Sequence, residues 1–168
     1  MNEYFTDGDV ERDCLAGVTR CYLVMHEEQL VGFFAVLADA IRLQNNEKPT
    51  GVPYDSAPAL KLGRMGVQLQ FKRRGVGTAI LRYVTAMALE AGERVGIRYL
   101  TLDAEPTDGL VEWYLKRGFV KNLGEGWALS TIGRALGRLK KGEELRQTSM
   151  RLDLLLQSGL PEPEKGLG

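Results

Sequence analysis

A chain of 168 residues, 44% of them hydrophobic and 26% charged, is long enough for one globular domain with a good-sized core and cramped for two. Its 22 lysines and arginines are matched by 22 aspartates and glutamates, which excludes a whole-molecule field drawing it to nucleic acid or to a membrane; any basic site must be local. With Cys14 and Cys21 as the only cysteines and neither a signal segment nor a spanning apolar run, the expectation is a reducing, cytoplasmic setting with two free packing thiols.

Residues from about Val10 to Val18 suit a short helix. Cys21 to Met25 reads as a strand, His26 to Gln29 as a hairpin turn, and Leu30 to Ile41 as the partner strand. The stretch from Gln44 to Ala59, with Asn45, Asn46, Pro49, Gly51, Pro53 and Pro58, is expected to be loop, and a third strand fits Leu60 to Gln68.

The most informative stretch follows that strand. Gln70, Phe71, Lys72, Arg73, Arg74, Gly75, Val76, Gly77 and Thr78 open a helix running to about Ala91, whose buried face is marked by Val76, Ile80, Val84, Met87, Ala88 and Ala91. A helix N-terminus offers unpaired N–H groups and the positive end of the dipole, so anions are stabilised there. Glycines at 75 and 77 let phosphate oxygens approach the backbone, and the cations at 72 to 74 surround them with charge. The plain structural alternative is a glycine turn before a surface helix; the preceding strand and the cations favour a pyrophosphate.

Tyr99 to Asp103 is a compact apolar strand. Pro106, Thr107 and Asp108 then start a helix carrying Leu110, Val111, Tyr114 and Leu115, with Gly118 stopping it from beyond its C-terminus. Strand, helix, strand, helix implies a crossover unit, so the class is α/β (α+β) around a mixed sheet. Residues 123–147 break this rhythm as a helical insertion, in which Leu129, Ile132, Leu136 and Leu139 share an apolar face against Arg134, Arg138, Lys140 and Lys141. That apolar face either covers the sheet or serves a homodimer. Thr148 to Leu154 alternates like a last strand, closing a single domain at 1–156, and 157–168 reads as a disordered tail.

Taken together, the strand, the loop, the helix, the second strand and the run from Glu112 to Phe119 resemble the GNAT superfamily of acetyl-CoA-dependent N-acetyltransferases. The resemblance covers roughly Cys21 to Val120 plus the last strand. It implies a mostly antiparallel central sheet with flanking helices, the acyl-CoA N-acyltransferase fold, with acetyl-CoA as cosubstrate and no metal. The family's pyrophosphate pattern maps onto Lys72, Gly75 and Gly77, with Arg73, Arg74, Val76 and Thr78 completing the cradle. Lysine is a departure at 72, keeping the charge without the planar fork. The pantetheine-pairing positions fall on Met65, Gly66 and Val67, where Gly66 marks either a bulge or a close backbone approach. Tyr114 corresponds to a general acid at the sulfur, or else is a core tyrosine; Thr107 stands where many members have asparagine and either binds pantetheine or caps the helix. The third strand lacks the family's carboxylate base. Asp39 and Asp103 remain candidates, His26 belongs to an exposed turn, and the base is unassigned. Only a few residues precede the segment matching Val10 to Met25, where the family has a further strand and helix that help recognise substrate.

The leading expectation is an N-acetyltransferase in which a primary amine attacks acetyl-CoA directly. The alternatives are an acetyltransferase toxin of a toxin–antitoxin pair acting on aminoacyl-tRNA, the one nucleic acid this neutral chain would engage, or a CoA-binding sensor without catalysis. A nicotinamide dinucleotide fits poorly, because Ile80 occupies the third glycine position.

Overall fold

The computed structural model describes residues 9–105, 107, 109–123 and 147–158. The elements are α1 (Asp9–Leu15), β1 (Arg20–His26), β2 (Gln29–Arg42), β3 (Ser56–Val67), a 3₁₀ turn (Leu69–Phe71), α2 (Val76–Gly92), β4 (Tyr99–Ala104), α3 (Leu110–Leu115), β5 (Val120–Lys121), β6 (Thr148–Asp153) and α4 (Leu154–Ser158). The strands form one sheet in the order β1-β2-β3-β4-β6-β5. Only β3 and β4 pair in parallel, joined through α2, so the sheet is mixed and mostly antiparallel as the resemblance implied. No described helix is long and apolar enough to cross a membrane.

Helix α1 stops three residues before the expected Val18 because Gly17 adopts φ 71. The Gly17 N–H donates to Cys14 O and the Val18 N–H to Asp13 O, the paired bonds of a glycine-terminated helix. The hairpin turn is where it was expected. Glu27 and Glu28, at φ 45 and 66, take left-handed conformations that suit the twist of a two-residue β-hairpin.

Strand β3 starts at Ser56 rather than Leu60, so Pro58 and Ala59, expected in a loop, belong to the sheet. The proline is tolerated because its carbonyl faces β4, accepting the Arg98 N–H, and the β4 ladder begins only at Ala59. Strand β5 has just two residues and no periodicity to betray it. The last strand ends at Asp153, whose Oδ1 accepts the Leu155 N–H and turns the chain into α4, including Gln157 and Ser158 at the head of the expected tail. The apolar face expected at Leu129, Ile132, Leu136 and Leu139, and its basic counterpart, lie outside the described residues.

The main core lies between α2 and the sheet. Ile80, Leu81, Val84 and Ala88 meet Phe34, Val36, Leu62, Leu100 and Leu102, and α3 adds Tyr114 beside Phe119, Met150 and Leu152. Alternation sends Tyr99, Thr101 and Asp103 to the opposite face, where Tyr99 joins Ile41, Leu43, Ala57 and Ala59 in a smaller cluster.

The register shift between β2 and β3 leaves Gly63 as the extra residue, so the bulge is there and not at Gly66. Gly66 instead lies beneath Phe33, its cross-strand partner: a Cβ at 66 would sit 2.2 Å from the Phe33 ring. Gly66→Ala is therefore expected to cost about 2–3 kcal/mol by overpacking, a fall of roughly 5–10 °C in melting temperature for a domain of this size. A calorimetric scan showing wild-type stability would contradict this packing.

Candidate active site

The parallel ladder between β3 and β4 runs only from Ala59 and Tyr99 to Leu62 and Leu102. Beyond it, β3 continues to Val67 paired with β2 alone. Every second backbone group of residues 63–67 thus faces away from β2 with no strand to meet it, and Met65, Gly66 and Val67 are half-buried along this opening. The splay begins at the bulge: Gly63 is the first β3 residue beyond the last pair with β4.

The loop after β3 returns to the same end of the sheet. The Gln68 N–H is tied to Val31 O, the 3₁₀ turn follows, and Arg73 at φ 62 and Gly75 at φ 88 bend the chain into α2. Gly75 is the N-cap and has no side chain to satisfy the helix. The first backbone bond belongs to the Ala79 N–H, which reaches Gly75 O. No described acceptor engages the N–H groups of Gly75, Val76, Gly77 and Thr78, so four donors and the helix dipole converge on one spot. Lys72, Arg73 and Arg74 are exposed around it. A Cβ at Gly75 would meet nothing within 4 Å, so glycine serves there for its left-handed backbone; a Cβ at Gly77 would meet only Val67 Cγ2 at 3.9 Å. The cradle and the splayed strand are therefore adjacent.

Tyr114 is 5% exposed, edge-on to Trp113 and to Phe119 with ring centroids 4.9 and 5.4 Å away. Burial pushes its hydroxyl up to about 12, against a small opposing influence of Arg117. No hydrogen bond to that hydroxyl is found among the described residues. Thr107 is exposed on the loop between β4 and α3, at the splayed end of the sheet. It does not cap α3: Gly109, at φ 77, holds the N-cap position, and Thr107 contributes only its carbonyl to the Leu110 N–H.

Two features were missed in the sequence. Arg117 lies over the Trp113 ring, its Cζ 3.7 Å from the centroid, and donates to Trp113 O at 2.8 Å and to Thr78 Oγ1 at 3.2 Å. It locks α3 onto the start of α2, and its signal was an arginine four residues after a tryptophan on one helix. The other is charge segregation. From residue 56 to 89 the chain carries Lys61, Arg64, Lys72, Arg73, Arg74 and Arg82 and no acidic residue. The neutral total conceals a cationic stretch that builds the splay and the cradle.

On the face of the sheet away from α2, polar and charged side chains lie beside the smaller apolar cluster. Thr101 donates to Asp39 Oδ2 at 2.8 Å, reaching across β3 where Ala59 leaves room, and Lys61 pairs with Asp103 at 2.7 Å. At the far end from the splay, a cavity of about 300 Å³ is lined by Arg98, Tyr99, Arg151 and Asp153 among others. Arg98 is bound to Asp153 at 2.7 Å, and Arg151 to Glu47 at 2.6 Å, ion pairs that fix the 44–55 loop and β6 to this end. His26 is exposed at the hairpin on β1, separated from the opening between β3 and β4 by β2.

Residues 2–119 match the acetyltransferase (GNAT) family. A tRNA-acetylating toxin from Mycobacterium tuberculosis is 25% identical over 95 residues, covering 52% of this chain and 54% of that protein, so the match spans about half the length of this relative. Among solved structures, a bacterial toxin superposes with a TM-score of 0.71 at 14% identity, over 96% of this chain and 84% of its own. The AtaTR complex bound with acetyl-CoA gives 0.65 at 17% identity, over 94% and 84%. At these identities the two structures establish the fold.

Proposed function

The chain belongs to the acetyltransferase (GNAT) family, and from that premise we propose that it transfers the acetyl group of acetyl-CoA to the amine of an aminoacyl-tRNA, as a toxin of the tRNA-acetylating kind. The supporting observation is the junction of the splayed strand with a helix start that has four free N–H donors, set in a stretch with six cations and no acid. The diphosphate of acetyl-CoA suits the donors at residues 75–78, its pantetheine arm suits the free edge at 65–67, and Thr107 borders the same slot. The N–H groups along that edge also stand ready for the charge that develops on the thioester oxygen.

The choice of acceptor follows from the relative from Mycobacterium tuberculosis, whose name says that it acetylates tRNA. The zero net charge is no obstacle, because phosphate contacts need a cationic surface only where the nucleic acid lies. Such a reaction belongs to the cytoplasm, and a toxin of this kind would be held in check by an antitoxin partner.

Comparing an aminoacyl-tRNA with the same aminoacyl group on adenosine alone tests the acceptor. The tRNA is expected to be preferred by at least tenfold in kcat/KM at low salt, and the preference should shrink steeply between 50 and 200 mM salt. Equal use of both acceptors, or of free polyamines at every salt concentration, would argue for a small-molecule amine instead.

A further inference from the structure

We infer that Asp103 accepts the N–H of the acceptor amine at the apex of the splay and takes the proton which that amine loses on acylation. This deepens the transfer reading above and rests on it. Asp103 is the first residue of β4 beyond the last pair with β3, Leu62 with Leu102; continued by one step, the ladder would set it beside Gly63, which has no side chain. Strand β4 therefore delivers a carboxylate to the place where the two parallel strands separate.

The state of its two oxygens carries the assignment. Oδ2 is held by Lys61 Nζ at 2.7 Å, with both side chains 17% exposed. Oδ1 is buried and has no hydrogen-bond partner within the protein, a condition shared among the described side-chain atoms only by Arg98 Nε just before the other end of the strand. A buried acceptor without a protein donor costs on the order of 1–3 kcal/mol unless a donor from outside the fold reaches it, and such atoms in folded proteins call for an explanation. An amine N–H arriving at the splay supplies the missing donor.

Asp39, the other carboxylate on this face, is a worse candidate because it lies on β2 and its Oδ2 is already engaged by Thr101. Ser149, opposite Asp103 on β6, is engaged by Asn122 at 2.9 Å. The charged groups sharing the face are Lys61, Asp39, and Arg151 with Glu47 beyond Ser149; Glu105 follows on the next loop and meets Gln147. Lys61 is a positioning residue here, fixing one oxygen so that the other is presented.

In the reaction, the amine nitrogen forms a bond to the acetyl carbon and the carbon–sulfur bond breaks with its electron pair on sulfur. The proton lost by nitrogen passes to Asp103 Oδ1 and on to solvent. The coenzyme A thiolate accepts a hydrogen bond from Tyr114 and takes its proton from solvent, so atoms and charge balance.

Asp103→Asn keeps the shape and leaves an oxygen for Lys61. With the intact protein and an aminoacyl-tRNA acceptor, kcat/KM at pH 7 is expected to fall by about a hundredfold or more, with unchanged acetyl-CoA affinity and melting temperature. The deficit should narrow as pH rises and hydroxide takes the proton in place of the missing carboxylate. Lys61→Met breaks the same ion pair and should show a smaller loss without that narrowing. Wild-type turnover in Asp103→Asn, a deficit constant with pH, or the same profile in both variants would overturn the assignment. Wild-type protein that binds acetyl-CoA yet releases no thiol with any amine would instead sink the transfer reading itself.

Discussion

Gly75→Glu is expected to abolish coenzyme A binding, weakening it by more than a hundredfold in calorimetry. Three effects act in one direction. At φ 88 a residue with a Cβ costs roughly 1–2 kcal/mol in backbone conformation, and relaxation of that strain would turn the N–H groups of residues 75–78 off their common focus. The added carboxylate also competes for those donors and repels phosphate. Gly75→Ala separates the contributions: a Cβ there meets nothing within 4 Å, so it carries the backbone cost alone and should weaken binding about tenfold. Wild-type affinity in Gly75→Glu would remove the helix start from the binding site.

Tyr114→Phe is expected to lower turnover by about a hundredfold while leaving acetyl-CoA affinity unchanged. Held up to about 12 by burial, the Tyr114 hydroxyl stays protonated throughout the working range. A thiol titrates near 8.5, so complete proton transfer from Tyr114 to the leaving sulfur would run uphill; in the proposed transfer the role left for the hydroxyl is hydrogen-bond donor to the developing thiolate. That refines the role of general acid expected from the family resemblance.

The same shift predicts alkaline behaviour. A tyrosine whose folded pKa is raised contributes stability that is complete below its unfolded value near 10 and is lost as pH climbs through 12. The contribution is about 2–3 kcal/mol. Wild-type protein should therefore lose stability more steeply than Tyr114→Phe between pH 10 and 12, which denaturant titrations at several pH values would register. Unchanged turnover in the variant would make Tyr114 a core residue only.

The glycine-and-cation loop and the helix after it were legible because their requirements are local: a left-handed hinge, free N–H groups and a 3.6-residue apolar stripe all leave marks within 20 residues. The hairpin was legible for the same reason. What escaped depends on strands distant in sequence. Pro58 was taken as loop because the tolerance of a proline in β3 is set by where the β4 ladder begins, some 40 residues later. Gly66 invited a bulge because its neighbour Phe33 comes from another strand, while the bulge itself fell at Gly63. Thr107 lost the cap to Gly109 because a glycine at φ 77 starts α3 without any side-chain bond. Among the candidate carboxylates, Asp39 and Asp103 look alike in sequence; only the cross-strand partners distinguish an oxygen engaged by Thr101 from one left without a donor.

The most direct measurement is mass spectrometry of an aminoacyl-tRNA incubated with the protein and acetyl-CoA labelled in its acetyl group. Label is expected on the α-nitrogen of the amino acid, with one free thiol released per acetyl transferred and none with tRNA lacking the amino acid. Thiol release without label on that nitrogen, or label on the uncharged tRNA, would contradict the account.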